Sequence, residues 1–333
     1  MLLSPLQARA LVDHCIEEKY ALLAVNADSP AALYDCLSAA RELDAPIVIE
    51  TSLWQLEGIS FGAGDARRGL ALYHAHLNLL ANSEEFRQTP VLLHTDHIRG
   101  SQTLEILADA IRGYPFHADD TTVRISPSTV SLDASKLTAE QNIELLCSLI
   151  EVAESSSRAL TLEMEAGLDG GLTTAKEIES LIMGVESKYT GYVVLFAPGL
   201  GNRHGFSKEG YPSFRPENIS GAASLLERLT GRRIGIVLHG SSGLSEAQVR
   251  EAVAYGLTKM NWSTDGLILR SSAAREYYDS HREQLGASHE EFKESAMDNG
   301  VGRFVSQRFI PKIKGLIQLL GGAGKAGHFM ADL

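Results

Sequence analysis

Three histidines stand beside apolar runs, where their spacing could do chemistry together. Residues 91–100 read VLLHTDHIRG, residues 201–205 read GNRHG and residues 239–243 read HGSSG. Val91, Leu92 and Leu93 are the apolar run of a strand buried in a parallel sheet, and the run ends in His94, Thr95, Asp96 and His97. His97, His204 and His239 therefore come from three different strand ends. Three imidazoles converging on one open position form a catalytic zinc arrangement. Alternation places His94 and Asp96 on one side and His97 on the other for as long as the strand continues. Asp96 and His97 can share a site only if the strand has ended by Thr95–Asp96. Taken singly, each histidine is more often an ordinary hydrogen-bonded residue; three at separate strand ends point to a metal.

A second chemistry is anion binding. In HGSSG and RHGFSK the small residues Gly205, Gly240, Ser241 and Ser242 let backbone N–H groups and hydroxyls close on a phosphate, and Lys208 supplies a point charge. Glycine and serine also make plain turns, so each motif alone reads equally well as turn chemistry. NWSTDG (261–266), with Ser263 and Thr264, follows the next strand, and together the three segments favour phosphate.

These residues need a scaffold that brings strand ends to one face. Eight short apolar runs qualify as strands: 20–25, 46–50, 90–95, 121–126, 159–165, 191–197, 233–239 and 258–263. Helical patterns lie between them, with 29–44 and 138–155 each opening on a Ser or Thr cap. Alternation of this kind gives a parallel α/β sheet, and eight units predict a closed (β/α)8 TIM barrel. The first strand runs into NADSP rather than a glycine-rich turn, which argues against a dinucleotide-binding sheet. The whole chain, 1–333, reads as one barrel domain with a C-terminal helical extension from about 280 to 333, its tail a helix ending in glycine-rich coil. Barrel chemistry sits at the C-terminal strand ends. Those ends offer Asn26, Ser52, Asp96 with His97, Ser126, Glu165, GNRHG, HGSSG and NWSTDG.

Composition narrows the class. A net charge of −12 over 333 residues argues against a nucleic-acid partner. The three scattered cysteines have neither zinc-motif spacing nor a disulfide pattern, which predicts a reducing, cytoplasmic setting. The N-terminus reads as a helix capped by Ser4 with Pro5 first, not a signal peptide, and no apolar run is long enough for a membrane.

The segments AVNADS, HTDH, STVSLD followed by EQNI, LEMEAG, NRHG with Lys208, LHGSSG, KMNWSTD and GGAGKA run in one order from about residue 20 to 326. In this combination the chain resembles the class II, zinc-dependent ketose-bisphosphate aldolases, which include the fructose- and tagatose-bisphosphate enzymes. The resemblance implies one zinc ion (or another divalent metal) per chain on His97, His204 and His239. Glu165 would be an alternative or outer carboxylate, and Asp133 would lie near the metal. It implies Asp96 as the acid/base at the hydroxyl beside the breaking bond. Gly205, Lys208, Gly240, Ser242 and Thr264 would hold the phosphate of dihydroxyacetone phosphate, and Asn261 its reacting end, where zinc stabilises an enediolate as a Lewis acid. The small phosphorylated sugar or ketone is the expected partner, and a homodimer or homotetramer the expected assembly.

Three departures from the family pattern bear on the substrate. After LEMEAGLDGG the chain runs straight into LTTAKEIESLI, with Leu172 and Thr173 where a long loop with an acidic pair would begin. Ser263 stands in place of an aspartate beside the substrate, and Trp262 adds bulk. The D-P-R segment for a distal phosphate is not visible; the region reads ESAMDNGVGRF, in which Arg303 is the candidate substitute. Glu177 and Glu179 are the acidic residues near the shortened loop. The sequence therefore predicts a zinc-dependent aldolase-like lyase acting on a ketose phosphate other than fructose 1,6-bisphosphate. The alternatives are a non-catalytic zinc and sugar-phosphate-binding barrel serving as sensor or partner protein, and a biosynthetic enzyme with a different acceptor. The phosphate assignment carries its own test. Lys208→Ala removes a charge-assisted contact worth roughly 1.5–3 kcal/mol, so calorimetry should show dihydroxyacetone phosphate bound about tenfold or more weakly; unchanged affinity would place the anion elsewhere.

Overall fold

Eight strands buried along their whole length need cover on both faces, which a closed parallel barrel ringed by helices gives. The computed structural model of the chain describes residues 1–333 except 97, 100–102, 119–120, 135, 168–169, 204 and 206–212. In it β1 (Leu22–Asn26), β2 (Ile47–Thr51), β3 (Val91–Thr95), β6 (Thr129–Ser131), β7 (Leu162–Glu165), β8 (Val193–Ala197), β9 (Gly235–Leu238) and β10 (Leu257–Trp262) close into one barrel. All neighbours are parallel, and β10 pairs back onto β1. The expected (β/α)8 barrel is the observed fold. The expected caps are also present: Ser4, Ser29 and Thr138 each accept a backbone N–H from the first turn of the helices Pro5–Glu18, Pro30–Glu42 and Ala139–Ser155.

One strand was misplaced. TTVRIS (121–126) is not the fourth barrel strand. Thr121–Ile125 forms β5, which pairs antiparallel with β4 (Tyr114–Ala118) in a hairpin beside the barrel, and Ser126 donates to Ile111 O at 3.3 Å instead of facing the barrel mouth. The fourth barrel strand is the three-residue β6, too short for an apolar run to show. The residue before it is anchored to its neighbours: Ser128 Oγ donates to Leu3 O at 2.6 Å and accepts from Leu93 N of β3 at 3.0 Å. The tail also differs, because a further helix, Ala326–Ala331, follows the glycine coil and buries Phe329.

Polarity inside the barrel changes from floor to mouth. The helix Pro5–Glu18 crosses the floor, where Ala8, Leu11 and Cys15 pack with Leu22, Ala24, Val48 and Leu92, and Val12 packs with Val194 and Val237. Two residues further along each strand the interior positions become polar: Asn26 after Ala24, Glu50 after Val48, His94 after Leu92. The outward residues, such as Leu23, Ile49 and Leu93, join the larger core under the helices. Trp262 belongs to this outer layer. It is buried and stacks on Phe309 of the helix Arg303–Leu319, with ring centroids 5.8 Å apart, so its bulk does not reach the barrel mouth. No helix among the described residues is long and apolar enough to cross a membrane.

His74, on the helix Ala66–Ala81, is fully buried, and neither ring nitrogen has a hydrogen-bond partner. Burial pushes its pKa down to about 3. The unfolded chain takes up this proton near pH 6.5 and the folded chain does not, so stability is complete above pH 6.5 and is lost as the pH falls toward 3. At pH 5 this one residue costs on the order of 2 kcal/mol. In thermal scans His74→Leu should therefore lose less Tm than the parent between pH 7 and pH 5; parallel curves would remove this residue from the acid response.

Candidate active site at the barrel mouth

The polar interior positions converge at the C-terminal end of the barrel. Asp96 follows β3 directly, its backbone N–H donating to Thr51 O at 2.9 Å. The regular strand ends at Thr95, yet the Asp96 side chain keeps the inward side that alternation predicted. It is buried and held at both carboxylate oxygens: Asn261 Nδ2 donates to Oδ1 at 3.0 Å and Asn26 Nδ2 to Oδ2 at 3.1 Å. Asn26 Nδ2 also reaches Gln55 Oε1 at 3.3 Å, and Gln55 Oε1 accepts the Ser52 N–H at 2.8 Å, so the C-terminal ends of β2 and β3 are both tied to β1.

Glu165, the last residue of β7, and His239, just past β9, face Asp96 across the mouth. One donor atom from each of Asp96, Glu165 and His239 lies within 4.8 Å of the other two. Ser131 Oγ donates to Glu165 Oε1, and Asn142 Nδ2 donates to the Glu165 carbonyl at 3.0 Å. Two carboxylates and an imidazole at that spacing are a donor set suited to a divalent cation. A second cluster of the same kind, Glu50, His94 and Asp96, lies fully buried below it.

Beneath these groups is an ion network that sequence reading missed. Lys259 Nζ, 1 % exposed inside β10, donates to Glu163 Oε2 at 3.0 Å and Asn261 Oδ1 at 2.7 Å, with Glu50 Oε2 at 3.4 Å. Glu163 Oε1 faces His239 Nε2 at 2.8 Å. Burial pushes the Glu163 pKa upward, but the Lys259 ammonium, His94 and the His239 hydrogen bond outweigh it and hold the carboxylate well below its usual range. Burial likewise works against the Lys259 ammonium, and Glu163 and Glu50 reverse it, so its pKa lies above the usual lysine value. His94 is pushed down by burial and by Lys259; its Nδ1 lies 2.8 Å from Thr129 Oγ1. A usable sequence signal existed: Glu163, Lys259, His94 and Glu50 each lie two residues before a residue at a strand end, which in a strand means the same inward face.

A cavity of about 720 Å³ opens over Asp96. On one wall are Gly240, Ser241, Ser242, Ser263 and Thr264, with Gly205 beside them. Ser241 Oγ donates to Asn261 O, and Ser242 Oγ accepts the Asp265 N–H at 3.2 Å, which joins the loop after β9 to the N-terminus of the helix Thr264–Ser280. Gly240 has φ +60°, and a Cβ there would sit 2.5 Å from Arg203 O, so no other residue fits. On the opposite wall stand Trp54, Glu57, Arg99, Asp133 and Lys136. Asp133 pairs with Arg99 at 3.4 Å.

The structure thus brings Asp96, Asn261, Asn26, Ser52, Glu165, Asp133, His239, Gly205, Gly240, Ser241, Ser242, Ser263 and Thr264 to one end of the barrel. His97, His204 and Lys208 lie outside the described residues. Two sequence suggestions find no support in the geometry. Arg303 bonds the Asn299 side chain at 3.2 Å and is not among the residues lining the cavity. Glu177 caps its own helix, accepting from Thr174 N at 2.6 Å and Thr174 Oγ1 at 2.8 Å. Glu179, on the same helix, is exposed and also absent from the cavity wall.

Comparison with known proteins agrees with this architecture. The family pattern described as fructose-bisphosphate aldolase class-II matches residues 6–325. The chain is 29 % identical over 293 residues to fructose-bisphosphate aldolase 1 of Paracoccidioides lutzii, covering 80 % of this chain and 79 % of that one. It is 28 % identical over 282 residues to the fructose-bisphosphate aldolase of Ureaplasma parvum, covering 83 % and 85 %. Among solved structures, a fructose-bisphosphate aldolase from Campylobacter jejuni superposes with a TM-score of 0.81 at 22 % identity over 97 % of both chains. The YdjI aldolase from Escherichia coli K12 superposes with a TM-score of 0.70 at 19 % identity over 96 % of this chain and 98 % of that one. With the family pattern spanning nearly its whole length, this chain belongs to the class II fructose-bisphosphate aldolase family.

Proposed function

We propose that the chain is a zinc-dependent aldolase-type lyase that cleaves or forms the C–C bond of a ketose phosphate other than fructose 1,6-bisphosphate. The observation that carries this reading is Asp96: a buried carboxylate gripped at both oxygens by amides, beside Glu165 and His239, at the foot of a cavity of about 720 Å³. His239 and Glu165, with His97 and His204 from the sequence, would hold the metal. When bound, zinc supplies Lewis-acid polarisation of the ketone. Asp96 takes the proton of the hydroxyl beside the breaking bond; that oxygen becomes the aldehyde, and the bonding pair stays with the ketone half. Donation from Asn26 and Asn261 favours the charged carboxylate and keeps it aimed. The loop Gly240–Ser242, Thr264 at its helix N-terminus and Gly205 receive the near phosphate, where backbone N–H groups and the helix dipole favour an anion.

The substrate restriction rests on the other wall. Trp54, Glu57, Arg99 and Lys136 mix both charges with an indole, and Arg99 is engaged with Asp133. Glu177 is committed to its cap, so the short connection after Glu165 brings no free acid into the cavity from the described residues. A missing general base costs about 10²–10⁴-fold.

Two measurements test the proposal. Elemental analysis of purified protein should find one zinc per chain, and His239→Ala or His204→Ala should lose it while circular dichroism still reports the folded barrel. Zinc kept at full occupancy in both variants would sink the site. Cleavage assays of the zinc-loaded protein should show ketose 1-phosphates turned over and fructose 1,6-bisphosphate nearly inert. Turnover of that bisphosphate on the order of 10 per second would refute the restriction; zinc and dihydroxyacetone phosphate bound without any turnover would favour a sensor.

A further inference from the structure

Lys259 sits where only neutralised charge is tolerated, yet it does more than balance Glu50 and Glu163. An ammonium can only donate. Bonded to Asn261 Oδ1 at 2.7 Å, it forces that amide to present Nδ2 to Asp96, and the 3.0 Å contact to Asp96 Oδ1 is the result. Bonded to Glu163 Oε2 at 3.0 Å, it also anchors a carboxylate whose other oxygen faces His239 Nε2 at 2.8 Å. A carboxylate only accepts, so His239 carries its proton on Nε2 and keeps the lone pair on Nδ1. That Nδ1 lies 3.8 Å from Glu165 Oε2. The two relays run from one buried nitrogen on β10 to site groups that follow β3 and β9.

We infer that Lys259 is a positioning residue: through Asn261 it sets the donor facing Asp96, and through Glu163 it selects the His239 tautomer whose unprotonated nitrogen faces the metal cluster. This deepens the lyase reading of the same site and rests on it for the metal's role. The tautomer itself does not depend on that reading.

The test exploits an amide. In Glu163→Gln, Lys259 still claims the side-chain oxygen, so the new NH₂ faces His239. The imidazole must then accept at Nε2, and its proton moves to Nδ1. Adding Lys259→Met and Glu50→Gln keeps the trio at zero net charge but frees the amide to turn. His239 then regains the Nε2–H form. Nitrogen-15 NMR of metal-free protein reads the tautomer directly, and chelator competition reads zinc affinity. We expect inversion and an affinity about 10–100-fold weaker in the single variant, with both restored in the triple variant. Nε2–H retained in the single variant, or inversion persisting in a folded triple variant, would overturn the relay and leave Lys259 as charge balance alone. Inversion with unchanged zinc affinity would overturn the metal half. If the triple variant does not fold, the single variant decides by itself. If the parent takes up no zinc, the lyase reading falls, and the tautomer comparison still decides the relay.

Discussion

A lysine ammonium buried inside a barrel must be neutralised where it stands, and this constraint organises the site. Lys259 cannot reach water, so β7 and β2 must deliver Glu163 and Glu50 at the same depth. Removing one partner from such a cluster leaves a stranded charge and typically costs about 3–5 kcal/mol. The arrangement therefore ties the registers of strands on opposite sides of the barrel. Once Glu163 and Asn261 are held, His239 and Asp96 have little freedom left. Negative charge is still in excess: Glu50, Asp96, Glu163 and Glu165 share the interior with one ammonium, as suits a pocket for a divalent cation.

The floor of the barrel makes this polar layer affordable. The helix Pro5–Glu18 plugs the N-terminal end with apolar contacts, and the cavity over Asp96 opens at the mouth. In that low-dielectric setting hydrogen bonds are stronger and errors cost more. The dense pairing of Asp96, Asn261, Lys259, Glu163 and His239 is what such a layer needs. The hydroxyls of Ser131 and Thr129 extend it to Glu165 and His94 from the shortest barrel strand.

Much of this was legible from residue pattern. Seven of the eight barrel strands were visible as apolar runs, because a strand buried on both faces has few polar residues to interrupt it. The eighth was not, since β6 is three residues of Thr, Val and Ser, while the nearby hairpin strand TTVRIS looks more like a strand than the true one. The mouth residues were found because chemistry in this fold collects at strand ends. The layer below was passed over because a charged residue inside a strand reads as an exception, although the two-residue repeat links Glu163 to Glu165 and Lys259 to Asn261. Trp262 was read on the wrong face; the same alternation that turns Asn261 inward turns the indole outward onto Phe309.

The sequence by itself determined the class of fold, the strand ends that carry polar groups and the order of family motifs, because periodicity, caps and motif spacing are local properties of a chain. Tertiary structure alone decided which groups meet. Asp96 and Asn261 are 165 residues apart and Lys259 and Glu163 are 96 apart, yet each pair shares a hydrogen bond. No local rule encodes such contacts; they exist because closing the barrel makes inward residues of distant strands neighbours, and a buried charge then has to be paired with whatever that closure brings within reach.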